Sequence, residues 1–300
     1  MNSFSLKSQN SPIFNWKALN PTGSSGPRSC FPSPRSGAAS AVVDDTLYLF
    51  GGYGGSCRLN DFYAYNFQQR SWTEIKAKDG VGERPGVREN NGVMVTDDEG
   101  STLLVFGGYN GRMWLNDLWS YDITSNSWKC LQRCVEEGVR ELFEGGGESS
   151  NDEGDGDGDI NGGGGAENAM PPTPAPSRGS EPLVPSARFG YCAAMYQKNF
   201  VLFGGYDGSK WLNDTWEFDL NSLNWTLVRA KGKGPSARSC PSYCKDRNSL
   251  YVLGGYDGVE RKNDFFVCDL STYTWTEMPN FGAVPSPRYF HSCCLHDKKM

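Results

Sequence analysis

The fold is decided by a stretch of the chain that reads LLVFGGYNGRMWLNDLWSY over residues 103–121. A four-residue apolar run leads into a diglycine that begins at Gly107, and an Asn-Asp pair begins nine residues after that glycine. The same spacings occur in four copies, whose first glycines are Gly51, Gly107, Gly204 and Gly254, and a tryptophan follows each glycine by 21 residues: Trp72, Trp128, Trp225 and Trp275. A register held over four copies, with a period near 50 residues, indicates an internal repeat.

Each copy predicts four short strands, which we label a to d. Strand a follows an arginine and is rich in small residues, as in 36–43, and strand b is the apolar run before the diglycine. Strand c follows the Asn-Asp pair and has aromatic residues at alternate positions, such as Trp119 and Tyr121, and strand d carries the repeated tryptophan. Four antiparallel strands at this period are typical of a propeller blade, which buries its faces against neighbouring blades.

At these residues the chain resembles the kelch-repeat family. The match consists of the diglycine, an aromatic residue at Tyr65, Tyr121 or Phe218, and the tryptophan seven residues later, whereas Cys268 departs from the aromatic column in the fourth copy. The resemblance covers residues 28–131 and 183–300 and implies an all-β, kelch-type β-propeller. The pattern Gly-Gly-Tyr-Asp-Gly…Leu-Asn-Asp-x-Trp is also similar to the kelch half of the leucine-zipper-like regulator proteins.

We expect four complete four-stranded blades, plus an N-terminal outer strand and a C-terminal inner strand of an incomplete blade. The predicted divisions are a disordered N-terminus (1–11), a lone strand d with blades one and two (12–131), a disordered acidic Gly/Pro-rich insert (132–184), and blades three and four with the start of a fifth (185–300). A fifth diglycine is due near residue 304. We therefore expect an incomplete gene product or fragment, whose exposed sheet edges favour self-association.

Charge and composition exclude several classes of protein. The formal net charge is −6, and residues 132–184 hold 12 acids and 3 bases, which leaves the rest of the chain at +3. This balance excludes a polycationic nucleic-acid binder. No apolar run is long enough to span a bilayer, no secretory signal is visible, and the ten cysteines are predicted to be reduced thiols. We expect a cytoplasmic protein.

The sequence offers little for catalysis. Its two histidines, His291 and His296, lie in the last ten residues and do not suffice for a transition-metal site. The resemblance also implies that a specifier-type enzyme would need a Glu-x-x-x-Asp-x-x-x-His pattern, which the sequence does not complete. Small core thiols are expected on the innermost strands, at Cys240, Cys244, Cys293 and Cys294. We predict no catalytic residue, cofactor or metal, and keep a galactose-oxidase-like or specifier-type enzyme as the alternative.

The candidate binding surface is one end of the blades, because the b–c and d–a loops of an antiparallel blade emerge on the same face. The residues that we expect on this loop face to contact a partner are the Pro-x-x-Arg arginines Arg35, Arg88, Arg188, Arg238 and Arg288, the b–c loop residues Arg58, Trp114, Trp211 and Arg261, and the tyrosines Tyr53, Tyr109, Tyr206 and Tyr256. Trp, Tyr and Arg dominate interface hot spots. The alternative is structural, because the arginines could brace adjacent loops and the loop tryptophans could pack between blades. We assign the Asn-Asp pairs to turns and the four repeated tryptophans to the core between blades.

These observations predict a non-catalytic protein-interaction module. The resemblance implies a scaffold or a substrate-recognition subunit, in ubiquitin ligation, small-GTPase signalling or cytoskeletal signalling. An acidic segment in a protein partner would suit the arginines of the loop face. The acidic insert leaves from that same face, where it either competes with such a partner or serves as a passive linker.

Overall fold

The computed structural model describes residues 31–76, 83–89, 95–96, 100–134, 184–280 and 282–295. Within these ranges the secondary structure is all β, and the strands form the four blades of a β-propeller. The expected disordered N-terminus, the lone strand at 14–19 and residues 135–183 of the insert lie outside the described residues, as does His296. The four-blade prediction is confirmed.

The strands of each blade pair antiparallel in sequence order, with the first strand of each blade innermost. Blade one comprises β1 (Ala39–Val43), β2 (Thr46–Tyr53), β3 (Arg58–Asn66) and β4 (Ser71–Glu74), and blade two comprises β5 (Val95–Thr96), β6 (Thr102–Tyr109), β7 (Trp114–Asp122) and β8 (Ser127–Gln132). Blade three comprises β9 (Cys192–Tyr196), β10 (Asn199–Tyr206), β11 (Trp211–Asp219) and β12 (Asn224–Val228). Blade four comprises β14 (Ser242–Asp246), β15 (Ser249–Tyr256), β16 (Arg261–Asp269) and β17 (Thr274–Met278).

Blade four carries an additional strand that the sequence did not predict. β13 (Lys231–Gly232) pairs parallel to the outer strand β17 and makes this sheet five-stranded. The two residues lie in the connection between blades three and four and have no apolar alternation. The four predicted strands of blade four are all present, and β13 is an addition at the outer edge of that sheet.

The diglycine forms a β-bulge at the loop end of each blade. In blade one, Gly51 of β2 stands opposite two residues of β3, because the register changes from Phe50–Phe62 to Gly52–Leu59. The φ angle of Gly51 is +66°, and a Cβ there would lie 2.8 Å from the carbonyl oxygen of Arg88 in the next blade. The neighbouring amide of Gly52 donates to that same oxygen at 2.8 Å. Glycine is required here because the next blade approaches so closely.

Replacing Gly51 with alanine is expected to destabilise the protein by more than the same change at Gly55. Both residues have positive φ, but a Cβ on Gly55 has nothing within 4 Å. Gly55→Ala should therefore cost about 1–2 kcal/mol from the left-handed backbone alone, and Gly51→Ala about 1–3 kcal/mol more from the clash with the next blade. Chemical denaturation measures both. Equal losses in the free energy of unfolding would mean that the next blade moves away from the added Cβ at no cost in stability.

The core lies between successive blades. Three clusters of buried apolar side chains fill the spaces between blades one and two, two and three, and three and four. The repeated tryptophan of each later blade contacts a phenylalanine of the preceding one: Trp128 and Phe50 at 5.2 Å between ring centroids, Trp225 and Phe106 at 5.6 Å, and Trp275 and Phe203 at 4.7 Å. The expected inter-blade role is confirmed for these three. Trp72 instead packs on Tyr63 and Tyr65 of its own blade.

The predicted fifth unit begins beside blade four. The amide of Arg288 donates to the carbonyl oxygen of Lys262 at 2.9 Å, and the amide of Phe290 donates to that of Cys240 at 3.0 Å. Residues 291–295 adopt no strand, so the expected C-terminal inner strand is not formed within the described residues. The start of the unit is nevertheless docked against the innermost segment of blade four.

Candidate functional site

The Pro-x-x-Arg arginines form the framework of the loop face. The Arg88 guanidinium donates to both carboxylate oxygens of Asp117, at 2.9 and 2.8 Å, and to the carbonyl oxygen of Gly107 at 3.1 Å, all within blade two. Its amide donates to the carbonyl oxygen of Leu59 in blade one at 3.0 Å. One arginine thus ties its own blade to the preceding one, and we call this arrangement the arginine brace.

Arg188 and Arg238 form the same brace, with amides that donate to the carbonyl oxygens of Leu115 and Leu212 at 3.4 and 3.0 Å, and Arg35 forms its carboxylate half in blade one. Two-pronged contacts join Arg35 to Asp61, Arg188 to Asp214 and Arg238 to Asp264, with nitrogen–oxygen distances between 2.5 and 3.0 Å. The side chains of Arg88, Arg188 and Arg238 are about 1–2% exposed and that of Arg35 is 5% exposed. A buried, paired guanidinium cannot reach a partner, so the structure removes these four from the candidate surface and assigns them the bracing role.

The Asn-Asp pairs do more than the turn role that we expected. The aspartate of each pair accepts from the arginine of its own blade, whereas in three of the four pairs the asparagine bonds to the next unit. The asparagine amides donate to proline carbonyl oxygens: Asn60 to Pro85 at 3.4 Å, Asn116 to Pro185 at 3.2 Å, and Asn263 to Pro285 at 3.2 Å. The pair therefore holds two successive units in register.

Arg288 has the local geometry of a brace without its carboxylate. Its Nε donates to the carbonyl oxygen of Ser286 at 2.9 Å and its Nη2 to the hydroxyl of that residue at 3.0 Å, as Arg188 and Arg238 do with their own serines. No carboxylate pairs with Arg288 within the described ranges, and the residue is exposed. It stays on the candidate surface.

The predicted tyrosine and loop tryptophan columns meet in one line of rings, which we call the aromatic arc. It consists of Tyr53, Tyr109, Trp114, Phe189, Tyr206, Trp211, Tyr256 and Tyr289. Trp114 of blade two stacks on Phe189 of blade three, with centroids 4.6 Å apart and planes 15° apart. Trp211 of blade three reaches Tyr256 of blade four at 5.6 Å. The arc therefore crosses every junction between blades two and four.

Two arginines take part in the arc, one between Tyr53 and Tyr109 and the other beside Tyr289. The Arg58 guanidinium lies 5.3 Å from the Tyr53 ring centroid and 4.9 Å from that of Tyr109, and it pairs with Glu89 at 2.8 Å. Arg261 is exposed and lies 5.5 Å from the centroid of Tyr289. Arg58 thus fills the place that tryptophan occupies in blades two and three, whereas Arg261 keeps its charge available to a partner.

The arc is partly structural. Its predicted tyrosines and tryptophans are half-buried, and the hydroxyls of Tyr53, Tyr206 and Tyr256 donate to carbonyl oxygens in their own hairpins, at 2.7, 2.9 and 2.9 Å. The inner sides of these rings pack between hairpins, as the alternative interpretation expected. Their outer edges remain accessible.

The sequence did not single out Phe189, Tyr289 and Phe290. Phe189 and Tyr289 follow the Pro-x-x-Arg arginine directly, and the equivalent positions hold serine or glutamate in the other units. The backbone bridge between Phe189 and Tyr206 brings the two columns side by side. A comparison of that position across the repeats could have identified both aromatic residues.

The most exposed apolar side chains of the loop face lie on blade four and the fifth unit. Val259 is 88% exposed at the hairpin tip, and Phe290 is 65% exposed. Phe290 packs on Tyr289, with ring centroids 5.1 Å apart. Beside Val259 and Tyr289 lies a groove of about 600 Å³, which we call the blade-four groove. It is lined by Tyr256, Val259, Glu260, Arg261, Pro287 and Tyr289.

A second cavity, of about 300 Å³, opens where the innermost segments converge. Its walls include Gly37 of blade one, Tyr191 of blade three, Cys240 of blade four and His291 of the fifth unit. Burial raises the pKa of the Tyr191 phenol, whose hydroxyl donates to the carbonyl oxygen of Phe106 at 2.6 Å. Desolvation, followed by the nearby charge of Arg288, lowers the pKa of His291. His291 is therefore neutral at physiological pH.

The described ranges hold no group of three or more His, Cys, Asp or Glu side chains that could bind a metal ion. His291 Nε2 lies 2.8 Å from the hydroxyl of Ser242. Among the described residues, no helix is long and apolar enough to cross a membrane.

Blades that surround an axis and present their b–c and d–a loops on one face define a β-propeller with a loop-built face. A family model described as "KLHDC2/KLHL20/DRC7 Kelch-repeats domain" matches residues 1–139 and 174–300 of the chain. The chain therefore belongs to the kelch-repeat family, whose propellers typically bind other proteins. The resemblance stated from the sequence is confirmed.

Three curated proteins illustrate the relationship. The chain is 26% identical over 242 residues to the Leucine-zipper-like transcriptional regulator 1 homolog of Drosophila melanogaster, which covers 74% of this chain and 24% of that protein. It is 25% identical over 266 residues to Kelch domain-containing protein 3 of Bos taurus, covering 78% and 65% respectively. It is 29% identical over 241 residues to the N-(sulfonatooxy)prop-2-enimidothioate sulfolyase of Thlaspi arvense, covering 70% and 66%. The chain thus spans less than two thirds of each relative's own length.

Proposed function

We propose that this chain is a non-catalytic protein-interaction module that binds a partner through the blade-four side of its loop face. The observation that carries the proposal is the blade-four groove, which combines exposed apolar side chains with a continuous line of rings. Large rigid side chains around a concave surface are the usual anchors of protein interfaces. In the cell, the module would act as a scaffold or as a substrate-recognition subunit, in ubiquitin ligation or in GTPase or cytoskeletal signalling.

The charges around the groove suggest the chemistry of the partner. Arg261 and Arg288 are exposed, and neither pairs with a carboxylate among the described residues. Lys262 is already held by Asp257 and Glu260, both at 2.7 Å. An apolar side chain of the partner, flanked by a carboxylate, would fit Phe290 and the two arginines.

Replacing Phe290 with alanine is expected to weaken partner binding by roughly 10- to 30-fold, because the change removes an exposed apolar anchor. Phe67→Ala is the matched control, since Phe67 is also exposed but follows β3 at the opposite end of blade one. Proximity labelling in cells with the tagged wild-type chain first identifies the partners. Titration calorimetry of each variant with the recovered partner then gives the affinities.

Two outcomes of this comparison would contradict the proposed surface. In one, Phe290→Ala and Arg261→Ala both retain wild-type affinity. In the other, Phe67→Ala weakens binding as much as Phe290→Ala does. Circular dichroism of each variant excludes a loss of folding as the cause.

An enzyme remains the second candidate, because the Thlaspi arvense relative is named as a sulfolyase. Two measurements distinguish the classes. One is metal analysis of the purified chain, where stoichiometric iron or copper favours an enzyme. The other is incubation with the substrate named for that relative, where turnover above the spontaneous rate contradicts a purely binding role.

We also propose that the protein is cytoplasmic and self-associates through sheet edges. Imaging of the tagged chain tests the first statement. Sedimentation of the purified chain over a range of concentrations tests the second, and a constant monomer mass contradicts it.

A further inference from the structure

Two cysteines meet where the fifth unit docks on blade four. The fifth unit runs beside the innermost segment of blade four, and the amide of Phe290 donates to the carbonyl oxygen of Cys240 at 3.0 Å. The next contact along the two segments joins the Ser242 hydroxyl to His291 Nε2 at 2.8 Å. Cys244 and Cys293 lie two residues beyond each of these partners, and the thiol of each shifts the pKa of the other. Their proximity is therefore set by two successive anchors.

The two sulfur atoms have different chemical environments. Hydrogen bonding from the Cys244 thiol is the main cause that lowers the pKa of Cys293 to about 7. Desolvation acts in the opposite direction, and a hydrogen bond from the Ser242 hydroxyl lowers the pKa further. The same hydrogen bond, followed by desolvation, raises the pKa of Cys244. A thiolate is the reactive form of cysteine. The lowered pKa makes Cys293 the better nucleophile of the pair, and Cys244 supplies the second thiol.

Exposure separates this pair from the other inner cysteines. Cys244 and Cys293 are half-buried, whereas Cys192 and Cys240 are buried. Burial raises the pKa of both Cys192 and Cys240. Small oxidants therefore have better access to the first two residues than to the second two. The expectation of buried core thiols holds for Cys240 and is wrong for Cys244 and Cys293, which are half-buried, and for Cys294, which is exposed.

We propose that Cys244 and Cys293 are a redox-modification site, which a hydroperoxide converts into a reversible disulfide. The site shares no residue with the lining of the blade-four groove, although Phe290 of the proposed binding surface borders it, and the inference does not depend on the proposed function. The disulfide would tie residues 291–295, which form no strand, to β14 across the junction between two units. Oxidation would therefore fix one wall of the cavity of about 300 Å³ where the innermost segments converge, which His291 and Phe290 help to form.

The chemistry balances in two steps when the oxidant is hydrogen peroxide. The Cys293 thiolate attacks one peroxide oxygen, the O–O bond breaks, and the departing hydroxide takes a proton to become water. Cys293 is then a sulfenic acid. The Cys244 sulfur attacks the Cys293 sulfur, the S–O bond breaks, and the released hydroxide takes the Cys244 proton. Two thiols lose two electrons in total, and the peroxide is reduced to two waters.

The test uses the full chain, first reduced and then exposed to hydrogen peroxide. Remaining thiols are blocked with N-ethylmaleimide, and the digest is analysed by mass spectrometry. We expect a linked peptide pair that contains Cys244 and Cys293, two hydrogen masses lighter than the separate peptides, which disappears after treatment with dithiothreitol. Cys293→Ser should abolish the link. Cys244→Ser should leave a sulfenic acid on Cys293, which dimedone traps.

Cys57→Ser is the matched control, because Cys57 is exposed on blade one and should leave the link unchanged. Three results would overturn the proposal: Cys293 stays as open to alkylation after peroxide as before, Cys293 links to Cys294 instead, or the link joins two copies of the chain. The wild-type peptide map decides among these results even if a serine variant fails to fold.

Discussion

Replacing Asp117 with alanine is expected to destabilise the protein by about 3–5 kcal/mol, because the change leaves the charge of Arg88 buried without its partner. Arg88 is 1% exposed and Asp117 is 7% exposed, so water cannot replace the missing carboxylate. The change also removes the acceptor for the Trp119 indole, which lies 2.7 Å from an Asp117 oxygen. Each kcal/mol lowers the Tm of a protein of this size by roughly 2–4 °C, so thermal unfolding should show a Tm lower by about 10 °C.

Asp61→Ala is the matched control in blade one. Asp61 is 26% exposed, so water partly solvates the Arg35 guanidinium once the carboxylate is gone. We expect a loss of about 1.5–3 kcal/mol, the range for a hydrogen bond to a charged group.

Replacing both members of the buried pair, as in Arg88→Met with Asp117→Leu, should recover part of the stability that Asp117→Ala loses. Equal losses for Asp117→Ala and Asp61→Ala would show that burial does not decide the strength of a brace.

Trp275→Ala is expected to cost about 3–5 kcal/mol, because it empties a large volume between blades three and four. Trp275 is 4% exposed, and its ring centroid lies 4.7 Å from that of Phe203 in blade three. Its pairing partner on β16 is Cys268, a small residue that cannot fill the space. Thermal unfolding and chemical denaturation measure the loss, and fluorescence of the remaining tryptophans follows the packing.

The control for Trp275→Ala is Trp72→Ala, the same position in the first repeat. In the described structure Trp72 packs against rings of its own blade, Tyr63 at 6.3 Å and Tyr65 at 5.0 Å, and the side chain is half-buried. We expect about half the loss of Trp275→Ala, since less surface returns to water. A loss for Trp72→Ala as large as that for Trp275→Ala would contradict the inter-blade origin of the effect.

The blades were predictable because one short pattern repeats at a fixed spacing. The diglycine, the Asn-Asp pair and the tryptophan each recur at the same point of a strand, so four copies give four blades and place Trp128, Trp225 and Trp275 between them. β13 could not be predicted because it forms only by pairing with β17. Lys231 and Gly232 have no residue pattern of their own that indicates a strand.

The site was predictable in location but not in the roles of its arginines. Strand alternation placed the arginines and diglycines at one end, as the bridge between Ser36 and Tyr53 confirms. Composition alone cannot say whether a guanidinium faces solvent or a carboxylate 26 residues away, as in Arg188 and Asp214. The same spacing of 26 residues between arginine and aspartate recurs in the first, third and fourth copies. This regular spacing could have predicted the pairs from the sequence. Phe290 was missed because it depends on how the fifth unit docks.

The arginine braces also bear on how kelch loops change over time. Each brace is built from main-chain atoms, one arginine and one aspartate, and a serine hydroxyl joins those of Arg35, Arg188 and Arg238. Among the described residues, no hairpin-tip side chain contributes to a brace. Tip positions such as Val259 and Arg112 therefore contribute little to folding. On the proposed binding face, substitutions at these tips would alter which molecules are recognised while the braced blades keep their stability, without a compensating mutation elsewhere.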